Sequence, residues 1–304
     1  MARIVSAAVP AAVAASVTAA LPAAVAYAAG GLVPRTLVVG FAPWEDPSEI
    51  HQAAAKITKM LSAELKMKVE AKVATDYAGV VEAMRGGRVH MAFYPPAAYV
   101  MAEQRADAKV ILKSTFKGQS AYFSAIITRK DSGISSLADL KGRSFAFVDP
   151  SSTSGSIYPR VMLLDAGIKP ERDFKHVLNA GGHDSVVLAV FNKRVDAGAC
   201  YANDSQAKQA AWTMPNLLPK PGDKGQIKVV ALSKPIPADN ISVRKDLDEA
   251  LVGRIKAFFL RLSSTEEGRE HIKRIYKVDG FTSASPEDYA PVREAFNKVG
   301  LKIK

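Results

Sequence analysis

Short apolar runs alternate with segments of helical periodicity along most of this chain. The apolar runs are rich in Val, Ile, Phe and Tyr, which is typical of strands. The predicted strands are TLVVGF (36–41), KVEAKV (68–73), HMAFY (90–94), AYFSAIITR (121–129), SFAFV (144–148), VDAGAC (195–200) and IKVVAL (227–232).

The intervening segments carry helix signals. Asp46, Pro47 and Glu49 form a cap, a first-turn proline and a capping-box acid, and apolar residues then recur at helical spacing. Glycines close several of the later segments, as is common after a helix. The predicted helices begin near Asp46 and cover 76–87, 96–104, 135–142, 155–167 and 183–192, with further helices from about 204 and from 246.

This alternation predicts an α/β fold with parallel sheets. The units are too many for one small sheet, there is no internal repeat, and no long linker divides the chain. We therefore expect two α/β lobes joined by short crossovers near 117–121 and 232–237. The expected division is residues 35–120 for the first part of lobe 1, 121–232 for lobe 2 and 233–304 for the return to lobe 1.

The N-terminal segment 1–28 has a different character. One basic residue, Arg3, precedes a long Ala/Val-rich run that ends in Ala26-Tyr27-Ala28, a small-x-small cleavage pattern. This predicts a secretory signal peptide cleaved near Ala28 and a periplasmic mature protein. The alternative is a membrane anchor, which Pro10, Pro22 and the excess of alanine over leucine disfavour.

Composition narrows the function classes. The net charge is +11, but the basic residues are scattered, which disfavours a nucleic-acid-binding stripe and favours attraction of anionic ligands. Cys200 is the only cysteine, so no internal disulfide can form, and we expect it to be an inert core thiol. The histidines share no ligand spacing, so we expect neither a metal nor a cofactor.

The stretch VDPSSTSGSIYP (148–159) places five hydroxyl side chains around Gly155, between a predicted strand and a predicted helix. Such a junction presents unpaired backbone N–H groups and the positive end of a helix dipole. Ser and Thr hydroxyls add donors, so the turn can hold an anion without an arginine. A plain helix N-cap with spare serines is the alternative.

Four segments, GVVEAMRGGRVHMAFYPPAAYV, VDPSSTSGSIYP, AGGHDSVVLAVFNKRVDAGACYAND and SKPIPADNISVRKDL, occur in this order. Together they resemble the phosphate/phosphite/phosphonate-binding proteins of ABC importers over roughly residues 36 to 300. The resemblance implies a type II periplasmic-binding-protein-like fold, in which two hinged lobes close on one small ligand. It also implies delivery of that ligand to an ABC permease in the inner membrane, driven by its ATPase.

The resemblance also implies the ligand-binding residues. These are the hydroxyl run Ser152, Thr153 and Ser154, with Tyr77, Tyr94, His183, Asp204 and Asp239. Two departures from the family pattern bear on this set. Pro95-Pro96 follows Tyr94 in place of a Gly-containing turn, and Asp204 is shorter than the glutamate of relatives that bind aminophosphonates.

Asp239 beside an anion requires an explanation, because like charges repel. A phosphoryl group has a second pKa of roughly 6 to 7, so a P–OH often remains and a carboxylate can accept its proton. Sulfonate and nitrate carry no such hydrogen. The purely structural alternatives are a loop-turn role for Asp239, an N-cap-region role for His183, and packing roles for Tyr77 and Tyr94.

We therefore expect a periplasmic binding protein for a phosphonate, phosphite or related phosphorus oxyanion. Two alternatives stay open: a binding protein for a sulfonate- or nitrate-type anion, and a periplasmic ligand-sensing subunit. A Ser154–His183–Asp204 triad can be drawn, but no G-x-S-x-G elbow surrounds the serine, so an enzyme is not expected.

Overall fold

The computed structural model describes residues 27–28, 30–276 and 278–300. Most of the predicted export signal lies outside the described residues. Two short strands, β1 (Tyr27–Ala28) and β2 (Gly31–Leu32), pair with each other in an antiparallel ribbon. In the described part of the chain, every helix is too short or too polar to cross a membrane.

The first large sheet combines strands from both ends of the chain. Three neighbouring strands at one side of it are parallel, and the strands at the other side run antiparallel to their neighbours. In spatial order the sheet contains β14 (Gly280–Ser283), β6 (Ala108–Thr115), β13 (Asn240–Arg244), β5 (Met91–Tyr94), β3 (Thr36–Phe41) and β4 (Lys68–Val73).

The second large sheet is built from the middle of the chain. Its long strand β7 pairs antiparallel on both sides, whereas β10, β8 and β9 are parallel to one another. In spatial order it contains β11 (Ile227–Leu232), β7 (Ala121–Arg129), β10 (Ala197–Ala202), β8 (Ser144–Phe147) and β9 (His176–Asn179), with β12 (Ile236–Pro237) also paired to β7.

Helices cover both faces of each sheet. They are α1 (Pro47–Leu65), α2 (Tyr77–Arg85), α3 (Pro96–Ala106), α4 (Tyr158–Asp165), α5 (Pro170–Asp173), α6 (His183–Phe191), α7 (Glu249–Ser264), α8 (Glu266–Tyr276) and α9 (Ala290–Lys298). Short 3₁₀ turns lie at Lys130–Ser132, Ala138–Leu140, Ala211–Thr213, Asp223–Gln226 and Pro286–Tyr289, and a π-helical turn covers Thr153–Ile157.

The apolar residues of the strands explain this layering. On one face of the first sheet, Phe41 stacks on Phe93 with ring centroids 5.0 Å apart, and Phe259 of α7 meets Phe93 edge-on. A second apolar cluster fills the other face, beneath α2, α3 and α9. The second sheet is buried on both faces in the same way, and Cys200 lies fully buried within it, as expected.

Four predicted strands match the observed bounds, and Asp46 caps α1 as expected, with its side chain accepting from Ser48 N at 2.7 Å. Other expectations need correction. Both sheets are mixed rather than parallel, the strand predicted at 195–200 lies two residues later, and the helix predicted from about 204 is absent. The strands β6, β9, β13 and β14 were not predicted.

The chain passes between the two sheets twice. The first passage lies between Thr115 and Ala121, and the second lies between Pro237 and Asn240. Strands of the second sheet thus run from Ala121 to Pro237, with β12 extending beyond the boundary expected at 232. The predicted lobe boundaries stay predictions.

Candidate functional site

A cavity of about 100 Å³ lies between the two sheets. On the same measure a single water needs roughly 10–15 Å³, so several ligand atoms fit. The residues that line it come from both sheets and from both passages between them: Trp44, Glu45, Tyr77, Pro95, Ser114, Phe116, Gln119, Ala121, Tyr122, Ser152, Thr153, Ser154, His183, Tyr201, Asn203, Ala238, Asp239 and Val278.

The hydroxyl run Ser152–Thr153–Ser154 forms part of the wall and is almost fully buried, at 1 to 2% exposed. The run follows β8 and opens the π-helical turn that continues into α4, as the sequence predicted. Ser152 caps this turn by accepting from Gly155 N at 3.2 Å. Gly155 packs so closely on Val148 that a Cβ at this position would overlap the valine side chain.

The run makes hydrogen bonds toward both sheets. Thr153 Oγ1 accepts a hydrogen bond of 2.8 Å from the backbone N–H of Ala97, in the first turn of α3. Ser124 of β7 donates its hydroxyl to the Ser154 carbonyl at 2.6 Å. The Tyr122 hydroxyl lies within hydrogen-bonding reach of the Thr153 and Ser154 side chains. Desolvation raises the pKa of Tyr122 well above 10, and these two contacts lower it by a smaller amount.

Tyr77 is the first residue of α2, whose N-cap Asp76 accepts from Gly79 N at 2.6 Å. The Tyr77 side chain is 1% exposed, and its hydroxyl has no hydrogen-bond partner of ordinary geometry among the described residues. Desolvation raises its pKa well above 10, with a smaller opposing influence from Ser152. The phenol therefore stays protonated and can donate to a bound anion.

His183 begins α6 and is 5% exposed. Its backbone N–H donates to the Trp44 carbonyl at 3.1 Å, and its ring meets the Tyr201 ring edge-on at 5.0 Å. Burial lowers the pKa of His183 to about 3, so the imidazole is neutral at physiological pH. Its Nδ1 has no partner within the described part of the chain.

Asp239 lies in the second passage between the sheets, directly before β13. Its backbone carbonyl accepts from Ser114 N at 2.8 Å, which fixes the passage against β6. Desolvation raises the pKa of its carboxyl group to about 7. Near neutral pH the carboxyl group is therefore partly protonated. Its protonated form can donate a hydrogen bond, and its ionised form can accept one.

Two residues implied by the resemblance lie elsewhere. Tyr94 is fully buried beneath α2, where its hydroxyl donates to the Val80 carbonyl at 3.2 Å, and it does not line the cavity. Asp204 accepts from the backbone N–H groups of its own loop at Gln206, Lys208 and Gln209, at 2.9, 3.2 and 2.8 Å. Its neighbour Asn203 lines the cavity instead.

Sequence reasoning missed Tyr122, Glu45, Tyr201 and Asn203. Tyr201 lies near the end of β10 and Asn203 directly follows it. Ligands of open α/β sheets lie beyond the carboxyl ends of the strands, so this position was a usable signal. Glu45 similarly follows β3, after three intervening residues. Tyr122 offered no comparable signal, because it lies at the start of a long apolar strand.

The arrangement is suited to a small oxyanion that carries a proton. None of the described residues that line the cavity is lysine or arginine. The possible donors are hydroxyls, the side-chain amides of Gln119 and Asn203, the Trp44 indole, backbone amides and a neutral imidazole, and the acids are Glu45 and Asp239. Neutral donors can hold one negative charge, whereas a fully ionised anion would be repelled by an ionised Asp239.

Two α/β units with mixed sheets, and between them a small cavity lined by several polar side chains, are typical of the class of substrate-binding proteins. Comparison with known proteins gives the family. Residues 39–289 match the family model for the periplasmic substrate-binding protein of phosphonate ABC transporters, and the chain belongs to this family. It is therefore a substrate-binding protein of a transport system, and its family implies a periplasmic location.

Two relatives align over most of the chain. A phosphate-import protein of Mycolicibacterium smegmatis is 32% identical and covers 78% of this chain and 75% of its own. The phosphonates-binding periplasmic protein of Escherichia coli is 30% identical, with coverage of 86% and 75%. A solved structure from Prochlorococcus marinus, in complex with methylphosphonate, superposes with a TM-score of 0.77 at 21% identity and covers 88% of this chain and 99% of its own.

Proposed function

We propose that this protein captures a small phosphonate, phosphite or related phosphorus oxyanion in the cavity between its two sheets. The observation that carries the proposal is a pair of buried polar atoms, Tyr77 Oη and His183 Nδ1, in residues that line one cavity; neither has a hydrogen-bond partner of ordinary geometry among the described residues. Buried polar atoms normally have partners, and a ligand bound in this cavity would supply a partner for both. The names of the relatives support phosphorus oxyanions as the ligand.

In this proposal each side chain has a defined task. Ser152, Thr153 and Ser154 bind the ligand oxygens at the start of the π-helical turn, with Tyr122 beside them. Tyr77 donates its phenolic proton. His183 donates from whichever ring nitrogen carries its single proton. Asp239 accepts a hydrogen bond from the ligand's P–OH group when it is ionised, and donates one to a ligand oxygen when it is protonated. Asp239 and the ligand therefore share one proton.

Sharing one proton separates phosphorus oxyanions from sulfonates. Sulfonates have no proton to give, so a sulfonate can bind only beside a protonated Asp239, which weakens its binding above the pKa of that carboxyl group. We expect isothermal titration at pH 7.5 to detect binding of methylphosphonate or phosphite, and no binding of taurine. Tight taurine binding without a response to any phosphorus ligand would refute the proposal.

An Asp239→Asn variant sharpens this test, because asparagine cannot take up the proton. It is expected to bind methylphosphonate at least about tenfold more weakly, a loss in the range for a charge-assisted hydrogen bond. Taurine affinity should stay unchanged or improve. Asp204→Asn is the matched control, since its carboxylate serves its own loop, and it should leave phosphonate affinity unchanged.

The route of delivery is part of the proposal. We propose that the segment ending near Ala28 is removed on export and that the loaded protein docks on an inner-membrane ABC permease powered by its ATPase. N-terminal sequencing of the periplasmic protein tests the first point. Ligand-dependent stimulation of ATP hydrolysis by the reconstituted transporter tests the second and separates import from a sensing role.

A further inference from the structure

The cavity meets solvent at the turn in the first passage between the sheets. Its deep wall contains the hydroxyl run and Tyr77, which are 1 to 2% exposed. Of the described residues that line the cavity, Gln119 alone is exposed, and Phe116, three residues before it, is half-buried. The turn that carries these two residues therefore forms part of the mouth of the cavity.

Phe116 and Gln119 pair with each other across a tight turn. The N–H of Phe116 donates to the Gln119 carbonyl at 2.8 Å, and the N–H of Gln119 donates to the Phe116 carbonyl at 3.0 Å. Between them, Lys117 and Gly118 have φ angles of 50° and 73°. Positive φ at both central residues is typical of a two-residue β-hairpin turn, so the backbone that carries the Phe116 side chain has a defined shape.

Asp279 fixes this turn to the first sheet. Its carboxylate accepts from the Lys117 N–H and, at 3.3 Å, from the Thr115 hydroxyl. Its own N–H donates to the Thr115 carbonyl at 2.9 Å. Val278, directly before Asp279, also lines the cavity. Two apolar lining residues, Phe116 and Val278, are therefore held close together at the mouth.

The Phe116 ring does not belong to the apolar core. It is absent from the four clusters of apolar residues found among the described residues. The Lys117 ammonium lies 5.5 Å from its ring centroid, a cation–π contact that helps to orient the ring. A large aromatic side chain that lines a ligand cavity and serves no core cluster is available to contact the ligand.

We infer that Phe116 is a specificity-determining residue that favours phosphonates with a short apolar substituent. When the hydroxyl run and Tyr77 hold the phosphoryl group in the deep part of the cavity, the substituent extends toward the mouth. There Phe116 and Val278 cover it, and each buried CH₂ raises affinity by about fourfold. A hydroxyl at the same place loses its water, and the exposed Gln119 amide, which stays hydrated, offers it little in return.

This inference rests on the proposed function, and its experiment separates the two. Ethylphosphonate and hydroxymethylphosphonate have the same number of non-hydrogen atoms and differ in one terminal group, methyl or hydroxyl. At pH 5.5, below the second pKa of roughly 6 to 7 of a phosphoryl group, both carry one P–OH proton. By isothermal titration we expect the wild-type protein to bind ethylphosphonate at least about fivefold more tightly.

Phosphite is the reference ligand, because it has no organic substituent. Phe116→Ala should reduce the preference for ethylphosphonate to less than about twofold and change phosphite affinity by less than about threefold. Phe191→Ala is the matched control. Phe191 is also half-buried, with the Arg129 guanidinium 5.5 Å from its ring centroid, but it does not line the cavity. This variant should leave the preference unchanged.

Equal binding of the two phosphonates by the wild type, or tighter binding of hydroxymethylphosphonate, would overturn the inference even if Phe116→Ala failed to fold. So would an unaltered preference in a folded Phe116→Ala, or an equal loss of preference in Phe191→Ala. Binding of phosphite or methylphosphonate without either test phosphonate would overturn it and leave the proposed function intact. Absence of wild-type binding to phosphite, methylphosphonate and both test phosphonates would instead refute the proposed function.

Discussion

Thr153 of the hydroxyl run accepts a hydrogen bond of 2.8 Å from the backbone N–H of Ala97, which belongs to the other sheet's layer of helices. The first N–H groups of a helix have no partner within the helix. The α3 cap residue, Pro95, supplies no side-chain hydrogen bond, and the Thr153 hydroxyl accepts from the first turn of α3 in its place. One side chain therefore connects the two halves at the place where the ligand is proposed to bind.

Thr153→Val should destabilise the ligand-free protein by about 1–3 kcal/mol, because it leaves the Ala97 N–H buried without an acceptor. Thr153→Ser retains the acceptor and should recover most of that loss. Urea unfolding of the ligand-free variants measures both effects. Equal stability of Thr153→Val and the wild type would mean that the two halves are not joined by this bond in solution.

Tyr77 and Tyr94 are both buried, and they should respond in opposite ways to loss of their hydroxyls. Tyr77→Phe removes a hydroxyl that has no hydrogen-bond partner of ordinary geometry among the described residues, so the ligand-free protein should gain up to about 1 kcal/mol of stability. Phosphonate affinity should fall about tenfold or more. Tyr94→Phe removes a hydrogen bond to Val80 and should cost about 1 kcal/mol without changing affinity. Thermal unfolding and titration calorimetry on both variants test this contrast, and a loss of affinity in Tyr94→Phe would contradict it.

The strongest strands were predictable because their apolar runs are long and uninterrupted, as in Ala121–Arg129. The strand Ala108–Thr115 was missed because two lysines interrupt its apolar positions, although its buried residues do alternate in part. Antiparallel pairing could not be anticipated. In the first sheet it depends largely on the return of the chain through β13, which pairs antiparallel with both β5 and β6 and which no local pattern encodes.

The incorrect helix near 204 has a local physical cause. Residues 204–212 contain good helix formers, but the Asp204 carboxylate accepts three backbone N–H groups that a helix would direct elsewhere. The position of Tyr94 has a different cause. All four residues of β5 are buried, so the sequence does not distinguish the side of the strand that faces the cavity from the side that faces the core.

Gly155 should not tolerate a side chain. Gly155→Ala forces a methyl group into Val148 and within 2.9 Å of Ser152 Oγ, which displaces the hydroxyl run. We expect a loss of about 1–3 kcal/mol in stability and a large loss of phosphonate affinity.

Gly253→Ala is the control, since this glycine lies inside α7 with open space around it, and it should be neutral or stabilising by up to about 1 kcal/mol. Adding Val148→Ala to Gly155→Ala should restore part of the affinity; if it does not, the steric explanation is wrong.

Asp239 should make the stability of the ligand-free protein depend on pH in a defined direction. Burial raises the pKa of its carboxyl group from 3.8 to about 7 in the folded protein. The folded state therefore holds a proton that the unfolded chain releases between these two values. This contribution to stability is fully present below about pH 4, declines as the pH rises toward 7, and is lost above it.

Asp239→Asn removes the buried charge, so at pH 8 it should be more stable than the wild type, by about 4 kcal/mol at most. This advantage should shrink steadily as the pH falls toward 4. Denaturant unfolding of both proteins at several pH values measures the difference directly, because other titrating groups contribute equally to both. Parallel stability curves for the two proteins would show that Asp239 ionises freely in the ligand-free cavity, and would remove the basis for its sharing a proton with the ligand.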